Sequence, residues 1–490
     1  MKRLVALLLA LSLLAGYGAA TAQSLPEPEI PAREMFLGET ASDSSYEATL
    51  YYISSDGASL TRATRTLLVH GGDRLLDVVL EALFSASNRP AQSSIAPGDT
   101  RLISCEVTGG VVTVNLSIEA RNVQSEQELL MMYLAISATL LELEGIQGVN
   151  VLINGRHESV LQLPCGIMCE IEEDATAAWA QVQSESERYF SASKGSLTRN
   201  ALIYLPSADG SRLVPEMREI TFTSQDQIHV LLSELCAQPE SLRCAVPVFS
   251  SEESPLVEDP VLTVTGSGER ILEINLRSDA VNASRSAGVN LWQIYGCVTM
   301  SVCSFIPEID AVHISIDGAA VSQAVRDGET IVFDGELMRR RDFSGLTGSA
   351  AQLYIANENG DLILRETVLS QGAALSPRAL LSAIFSADTA AALGGACPVP
   401  SQVDATDILG VRIEDRIATV NLSSRFYSAC QDLTETRERT VVYSIVNTLC
   451  GLDGIDGVRF LFEGESVETL TEHIYMRTTL LPNPGAVVTE

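Results

Sequence analysis

One pattern recurs three times along this 490-residue chain. Each copy has a hairpin arm of alternating apolar residues, then a long apolar helix, then a closing strand that ends at a glycine. The arms and closing strands are residues 107–117 and 148–155, 271–276 and 311–318, and 417–423 and 457–464. The long helices are predicted at about residues 125–143, 292–303 and 438–450. A chain of three diverged copies must have a function that one repeated domain can serve.

A second hairpin and a short helix precede the arm in every copy. The hairpin bends are Asp56-Gly57, Asp209-Gly210 and Asn359-Gly360, which are typical of tight β-turns. Each copy therefore has the order β-β-α-β-β-α-β. We predict an α+β fold of three tandem two-layer sandwiches, each a small mixed or antiparallel sheet with two helices on one face and the other face open.

The repeat spacing divides the chain into seven segments, and its length fits three domains of roughly 150 residues. The predicted segments are a signal peptide (1–22), a flexible linker (23–45), a first domain (46–162), a connector (163–198), a second domain (199–324), a connector (325–349) and a third domain with a C-terminal tail (350–490). Within the first connector, residues 175–189 are a candidate helix.

The N-terminus has the features of an export signal. Lys2 and Arg3 precede an apolar run over residues 4–14, and Ala20-Thr21-Ala22 offers a cleavage site after Ala22. The run is too short to span a bilayer comfortably, although an uncleaved signal anchor remains the alternative. Tyr17 stands where a lipidated cysteine would be needed, so we expect no lipid anchor. The protein is predicted to be extracellular or on the outer face of the cytoplasmic membrane.

The formal net charge is −31. Such a surface repels nucleic acid and anionic lipid headgroups. Basic proteins, cations or plain solubility are the remaining explanations, and a solvated acidic surface is favoured. Arg339, Arg340 and Arg341 form the one basic cluster in the sequence. We expect it to pair with acids on a neighbouring domain, and docking of a partner is the alternative.

The ten cysteines have no zinc-type spacing with histidine. Two pairs could each close a local loop as a disulfide: Cys165 with Cys169, and Cys236 with Cys244. Cys303 and Cys450 align with Leu141 on the long helices, which predicts buried apolar positions.

No catalytic, cofactor-binding or metal-binding residue is predicted. None of the five histidines recurs at a matching position in two copies: His70, His157, His229, His313 and His473. Asn154, Asp317 and Glu463 align before a glycine, which predicts turns and not acid/base catalysts. Asn115, Asn275 and Asn421 recur near a strand end, where asparagine commonly bonds to nearby backbone.

Several stretches resemble the GerMN domain of bacterial sporulation and spore-germination proteins. They are Leu50-Tyr51-Tyr52 and residues 95–100, 112–117, 149–155, 442–449, 476–477 and 481–485. The resemblance implies a non-enzymatic exported domain, similar in topology to ring-building motifs, that usually occurs in tandem and is often attached to the membrane. The chain departs from this pattern in two respects: it lacks the lipid-bearing cysteine, and its second copy lacks the Pro-Gly-Asp-Thr stretch before Asn275.

The leading hypothesis is a scaffold or interaction protein of the cell envelope, linked to sporulation or germination, that acts through association of its domains. It could bind envelope proteins or assemble with itself into rings or other oligomers, with no cofactor. The first alternative is a module that binds cell-wall glycan or a small ligand on the open sheet face. The second is a wall hydrolase within the second copy.

Overall fold

The computed structural model describes residues 44–71, 73–85, 92–191, 195–250, 254–370, 374 and 376–488. The predicted signal peptide and most of the predicted linker lie outside these residues. The elements of the first copy are β1 (Ser44–Ser54), β2 (Leu60–Val69), α1 (Leu75–Phe84), β3 (Gln92–Ser93), β4 (Leu102–Thr108), β5 (Val111–Leu116), α2 (Glu126–Leu141), β6 (Gly148–Ile153), β7 (Arg156–His157), β8 (Ser159–Val160) and β9 (Leu163–Pro164).

The connector helix α3 (Ala175–Phe190) follows, as its sequence predicts. The second copy contains β10 (Ser196–Pro206), β11 (Leu213–Thr223), α4 (Gln227–Glu234), β12 (Val261–Val264), β13 (Arg270–Leu276), α5 (Ser278–Ser286), α6 (Leu291–Phe305), β14 (Ala311–Ile316), β15 (Ala319–Ala320), β16 (Gln323–Arg326), β17 (Glu329–Val332), β18 (Leu337–Met338) and α7 (Arg340–Phe343). The third contains β19 (Gly348–Ala356), β20 (Leu362–Ser370), α8 (Pro377–Ile384), α9 (Ala387–Ala392), β21 (Ile408–Glu414), β22 (Ile417–Leu422), α10 (Ser424–Cys430), α11 (Glu435–Leu449) and β23 (Gly457–Phe462).

Side-chain caps fix where the helices begin. Ser125 accepts a hydrogen bond from the Glu128 N–H at the start of α2, and Ser376 caps α8 with Pro377 at its first position. Thr434 caps α11 in the same way, so this helix begins three residues before the predicted start. The short helices α5 and α10 lie between arm and long helix, where the first copy has only a 3-10 turn, Ile118–Arg121.

The predicted α+β class is confirmed, and two principal sheets recur in every copy. The opening strands pair as antiparallel hairpins, β1–β2, β10–β11 and β19–β20. The arm and closing strand form a separate mixed sheet, in which β5, β13 and β22 each pair antiparallel with the strand before and parallel with the closing strand. A parallel pair requires a crossover connection, and the long helix supplies it.

Each long helix packs against both sheets of its copy, which explains why it is apolar around most of its circumference. One hydrogen bond recurs at the contact with the opening hairpin. The backbone N–H groups of Tyr51, Tyr204 and Tyr354 donate to hydroxyls of the long helices at 3.0, 2.9 and 3.0 Å. The acceptors are Thr139, Ser301 and Thr448. The copies therefore share a polar contact as well as an apolar core.

Three principal hydrophobic cores are present among the described residues, one centred on each copy. Helix α3 joins the first two, because Ala175 and Ala178 pack into the first core and Tyr189 into the second. The alternation predicted for the arms is confirmed: Val114, Ile274 and Val420 face their cores and are at most 1% exposed.

The prediction of an open second sheet face is wrong for the first copy. On that face Thr113, Asn150 and Leu152 are 6, 1 and 0% exposed. The second and third copies cover it: a Cβ built on Gly148 would lie 3.5 Å from the Met217 sulfur, and Ser349 Oγ is 3.2 Å from Thr108 Oγ1. In the second and third copies the corresponding face is open, with Glu273 and Arg459 exposed.

Candidate functional site

The aligned residues before the closing glycines form turns. Asn154, Asp317 and Glu463 have φ of 53, 47 and 50°, and the following glycines are also left-handed, as a tight hairpin turn requires. The carboxylates of Asp317 and Glu463 accept from the Ser278 and Ser424 N–H groups at 3.2 and 2.8 Å. These carboxylates thus hold the first turns of α5 and α10.

The repeated asparagines lock the same turns. The side-chain oxygens of Asn115, Asn275 and Asn421 accept hydrogen bonds from the N–H groups of the closing glycines at 2.8, 2.9 and 2.8 Å. Asn115 pairs with Gly155, Asn275 with Gly318 and Asn421 with Gly464, so the same hydrogen bond recurs in all three copies. The repeated asparagine therefore has a structural role, which is to hold the closing turn.

The histidines are scattered over the molecule. His70, His229 and His473 are exposed and His313 is half-buried, whereas His157 is fully buried at the contact between the first two copies. Its Nε2 accepts from the Gly166 N–H at 3.1 Å, its ring stacks with Phe305, and burial lowers its pKa to about 4. Within the described ranges, no group of three or more His, Cys, Asp or Glu side chains could hold a metal ion.

All ten cysteines are free thiols in the structure, including the two pairs considered for local disulfides. Cys303 is 1% exposed, as predicted, while Cys450 is half-buried. Burial raises the pKa of the Cys303 and Cys450 thiols to about 12. Thiols of this kind are poor nucleophiles at neutral pH.

The three arginines of the basic cluster have different surroundings. Arg339 lies 2.5 Å from Glu269, and Arg340 is buried, donating to Ser304 Oγ at 2.6 Å and to the Tyr204 hydroxyl at 3.1 Å. Arg340 also approaches Glu106 of the first copy at 3.9 Å. Arg341 remains exposed, 4.0 Å from Asp342. Arg340 therefore meets an acid of another copy, as predicted, whereas Arg339 pairs with an acid of its own copy.

An ionic cluster joins the first and second copies. Arg156 contacts both Glu158 and Asp310, and Ser159 Oγ donates to Glu308 at 3.0 Å. The Glu158 side chain is 3% exposed, and this burial raises its pKa to about 7 despite the opposing effect of Arg156. The charges are paired across a domain contact, an arrangement that holds domains together.

The open sheet face of the third copy carries two arginines and one glutamate. Arg412 and Arg459 are exposed there beside the half-buried Thr419 and Asn421. Arg459 donates to Thr479 at 3.3 Å and Arg412 to Glu414 at 3.2 Å. On a chain with a net charge of −31, this is a local reversal of sign at the position that is an interface in the first copy.

A groove of about 620 Å³ runs between the end of α3, the start of α4 and strand β12. Phe190, 48% exposed, lines it together with Gln227, His229, Asp259 and Arg270. His229 Nε2 lies 3.4 Å from Asp259, and Arg270 lies 2.7 Å from Glu308. The sequence has no local signal for this groove, because its walls come from six separate segments of the chain.

Among the described residues, no helix is both long enough and apolar enough to cross a bilayer.

The fold and these contacts define a class: tandem α+β domains in which the recurring polar residues serve turns, caps and domain contacts. The family described as Germane, sporulation and spore germination, matches residues 49–159 and 352–468. The first and third copies are therefore similar to this GerMN-type family, and the second copy lies outside the matched residues. No curated protein matches the chain.

Two solved structures are similar to parts of the chain. The tandem GerMN domains of the sporulation protein GerM from Bacillus subtilis match at 14% identity, covering 60% of this chain and 99% of that one, with a TM-score of 0.23. The first GerMN domain of the same protein matches at 21% identity, covering 26% of this chain and 95% of that one, with a TM-score of 0.20.

Proposed function

We propose that this chain is an exported, non-enzymatic scaffold of the cell envelope that acts in sporulation or spore germination by docking its domains against protein partners. The match to the sporulation and spore-germination family supports a role in one of these two processes. The main support for docking is the face of the first copy's mixed sheet that carries Thr113, Asn150 and Leu152. This face is buried against the other two copies, so it is a domain-binding surface within one chain.

The corresponding face of the third copy has the same strand order, and none of the domains in the described part of the chain covers Arg459. A repeated domain that buries this face once can bury it again against another protein, since the backbone geometry is shared. Its two exposed arginines favour an acidic partner surface, which a second copy of this chain or another acidic envelope protein would supply.

The proposal can be tested by photo-crosslinking in the producing cell. A benzophenone amino acid replaces Arg459 on the open face or, as a control, Asp388 on the exposed side of α9. Crosslinks to one protein species are expected from position 459 and not from position 388. The double variant Arg412→Glu, Arg459→Glu with the crosslinker at Thr419 should lose the product, whereas Arg378→Glu, an exposed arginine outside this face, should keep it.

Light scattering on the purified chain then separates the partners. A mass above one chain identifies a second copy as the occupant, and a monomeric mass with a heterologous crosslink identifies another protein. A strictly monomeric chain that gives no crosslink from position 459 would refute the scaffold proposal.

A further inference from the structure

The open face of the second copy's mixed sheet, on the side away from its long helix, is acidic. Glu273 is exposed there beside the half-buried His313, its partner on the neighbouring strand. Glu336 is exposed 3.8 Å from His313, and the exposed Glu258 accepts from the repeated asparagine of β13 at 3.1 Å. Arg339, directly after β18, is paired with a glutamate of its own copy at 2.5 Å, so it offsets none of these three charges.

The open face of the third copy carries positive charge at the equivalent positions. Arg412, Thr419 and Arg459 lie side by side on three adjacent strands, and both arginines are exposed. Glu414 lies 3.2 Å from Arg412, so one positive charge remains in excess. Thr419 is the counterpart of Glu273 in the aligned arms.

The spacing of the two arginines suits a single carboxylate. Neighbouring strands are about 4.8 Å apart, so the Cα atoms of Arg412 and Arg459 are separated by about 10 Å with Thr419 between them. A carboxylate placed over Thr419 can accept hydrogen bonds from both guanidinium groups, and charge-assisted bonds of this kind are among the strong ones. Glu273 holds the matching central position on the acidic face, between β12 and β14.

The first copy shows a contact of the same chemistry at its covered sheet face. Glu106 lies beside Thr113 on that face. Arg340, from the segment that follows the second copy, approaches Glu106 at 3.9 Å. An arginine from outside the domain therefore already meets a glutamate at the equivalent face within this chain.

We propose that the open face of the third copy binds the open face of the second copy in another molecule of this chain, with Glu273 held between Arg412 and Arg459. Two acidic faces repel each other, and so do two basic faces. The contact is therefore heterologous and joins molecules head to tail, whereas a symmetric dimer would pair like charges. This inference rests on the proposed docking role of the third copy's face and names its partner.

Sedimentation velocity of the purified chain tests the proposal. The wild-type chain is expected to form species larger than a dimer as its concentration rises. Glu273→Arg, and separately the double variant Arg412→Thr, Arg459→Thr, should weaken this association by at least about thirtyfold, because each leaves a charge at the contact without its partner. An equimolar mixture of the two variants should form a dimer and nothing larger, since each retains one intact face.

Two control variants make the same charge changes elsewhere. Glu219→Arg alters an exposed glutamate of β11 in the second copy, and Arg378→Thr removes an exposed arginine of α8. Both should assemble like the wild-type chain. Circular dichroism verifies that each variant is folded, and Glu273→Gln, which keeps the shape of the side chain, should weaken assembly in the same direction if Glu273→Arg misfolds.

A wild-type chain that stays monomeric up to its solubility limit overturns this inference, while a crosslink from position 459 to another envelope protein would leave the docking role standing. Undiminished assembly of either face variant, or a mixture that remains monomeric when the wild-type chain assembles, overturns the pairing of these two faces. Absence of any crosslink from position 459 in the cell refutes the docking role itself.

Discussion

The hydrogen bond between the opening hairpin and the long helix offers a matched pair of substitutions in one helix. Ser301→Ala in α6 removes the hydroxyl that accepts the Tyr204 N–H at 2.9 Å. Thr299→Val, two residues earlier, removes a hydroxyl that is equally buried and has no partner in the described part of the chain. Both variants remove a buried hydroxyl, but the hydroxyl of Ser301 is hydrogen-bonded and that of Thr299 is not.

The expected magnitudes follow from burial. Ser301 and Tyr204 are 0 and 2% exposed, so Ser301→Ala leaves a buried N–H without an acceptor and should destabilise the second copy by about 1–3 kcal/mol. Thr299→Val instead removes an unpaired polar group whose burial costs roughly 0.5–2 kcal/mol on octanol scales. It should leave stability unchanged or raise it.

Urea unfolding followed by tryptophan fluorescence measures both effects. The chain has two tryptophans, so a Trp179→Phe background leaves Trp292, which is 2% exposed and lies in α6 itself. With a denaturant slope of roughly 2 kcal/mol per molar, a loss of about 2 kcal/mol lowers the urea midpoint by about 1 M. Equal midpoints for the two variants would refute the assignment of stability to this hydrogen bond.

Two further results are expected. Because burial raises the pKa of Glu158 to about 7 from an ordinary 4.5, the folded chain binds this proton more tightly than the unfolded chain, so its contribution to stability is lost as the pH rises from about 4.5 to about 7. Glu158→Gln should therefore reduce the fall in melting temperature between pH 5 and pH 8, and an unchanged fall would contradict this reasoning. Gly318→Ala should cost about 1–2 kcal/mol from backbone strain alone, since its φ is +82° and a Cβ meets no atom within 4 Å. Gly266→Ala, equally open but without a positive φ, is the control and should be neutral in the same urea assay.

The features that the sequence predicts correctly are local. Alternation places Val112 and Val114 on one strand face, the apolar run over about residues 125–143 locates α2, and Asn115 near its strand end bonds to backbone. Each of these features depends on residues close in the chain or on a pairing that recurs in every copy. Comparing the copies therefore supports the same assignment in each of them. The sequence analysis does not predict the hydrogen bond from the tyrosine N–H to the long helix. Its signal in the sequence is a hydroxyl residue at the same helical position in all three copies, Thr139, Ser301 and Thr448.

The burial of the second sheet face in the first copy depends on how the copies pack, which no local pattern specifies. A weak signal is present in the aligned positions. Thr113 and Asn150 stand in the first copy where the second has Glu273 and His313, and the third has Arg459 beside Thr419. Only the first copy has no ionisable group at these two positions. The groove has no such signal, because it forms only when α3 packs beside the second copy.

The covered sheet face also constrains the order in which the chain can mature. Met217 and Ser349, which are synthesised after the first copy, lie against Gly148 and Thr108 of that copy. The first domain to be synthesised therefore reaches its final packing only after later parts of the chain have been made. Until the second copy has emerged, Val111 lacks most of the apolar residues with which it packs in the folded chain. A fragment that stops at the predicted boundary after residue 162 should consequently be prone to aggregation, and it also lacks Ala175 and Ala178 of the first core.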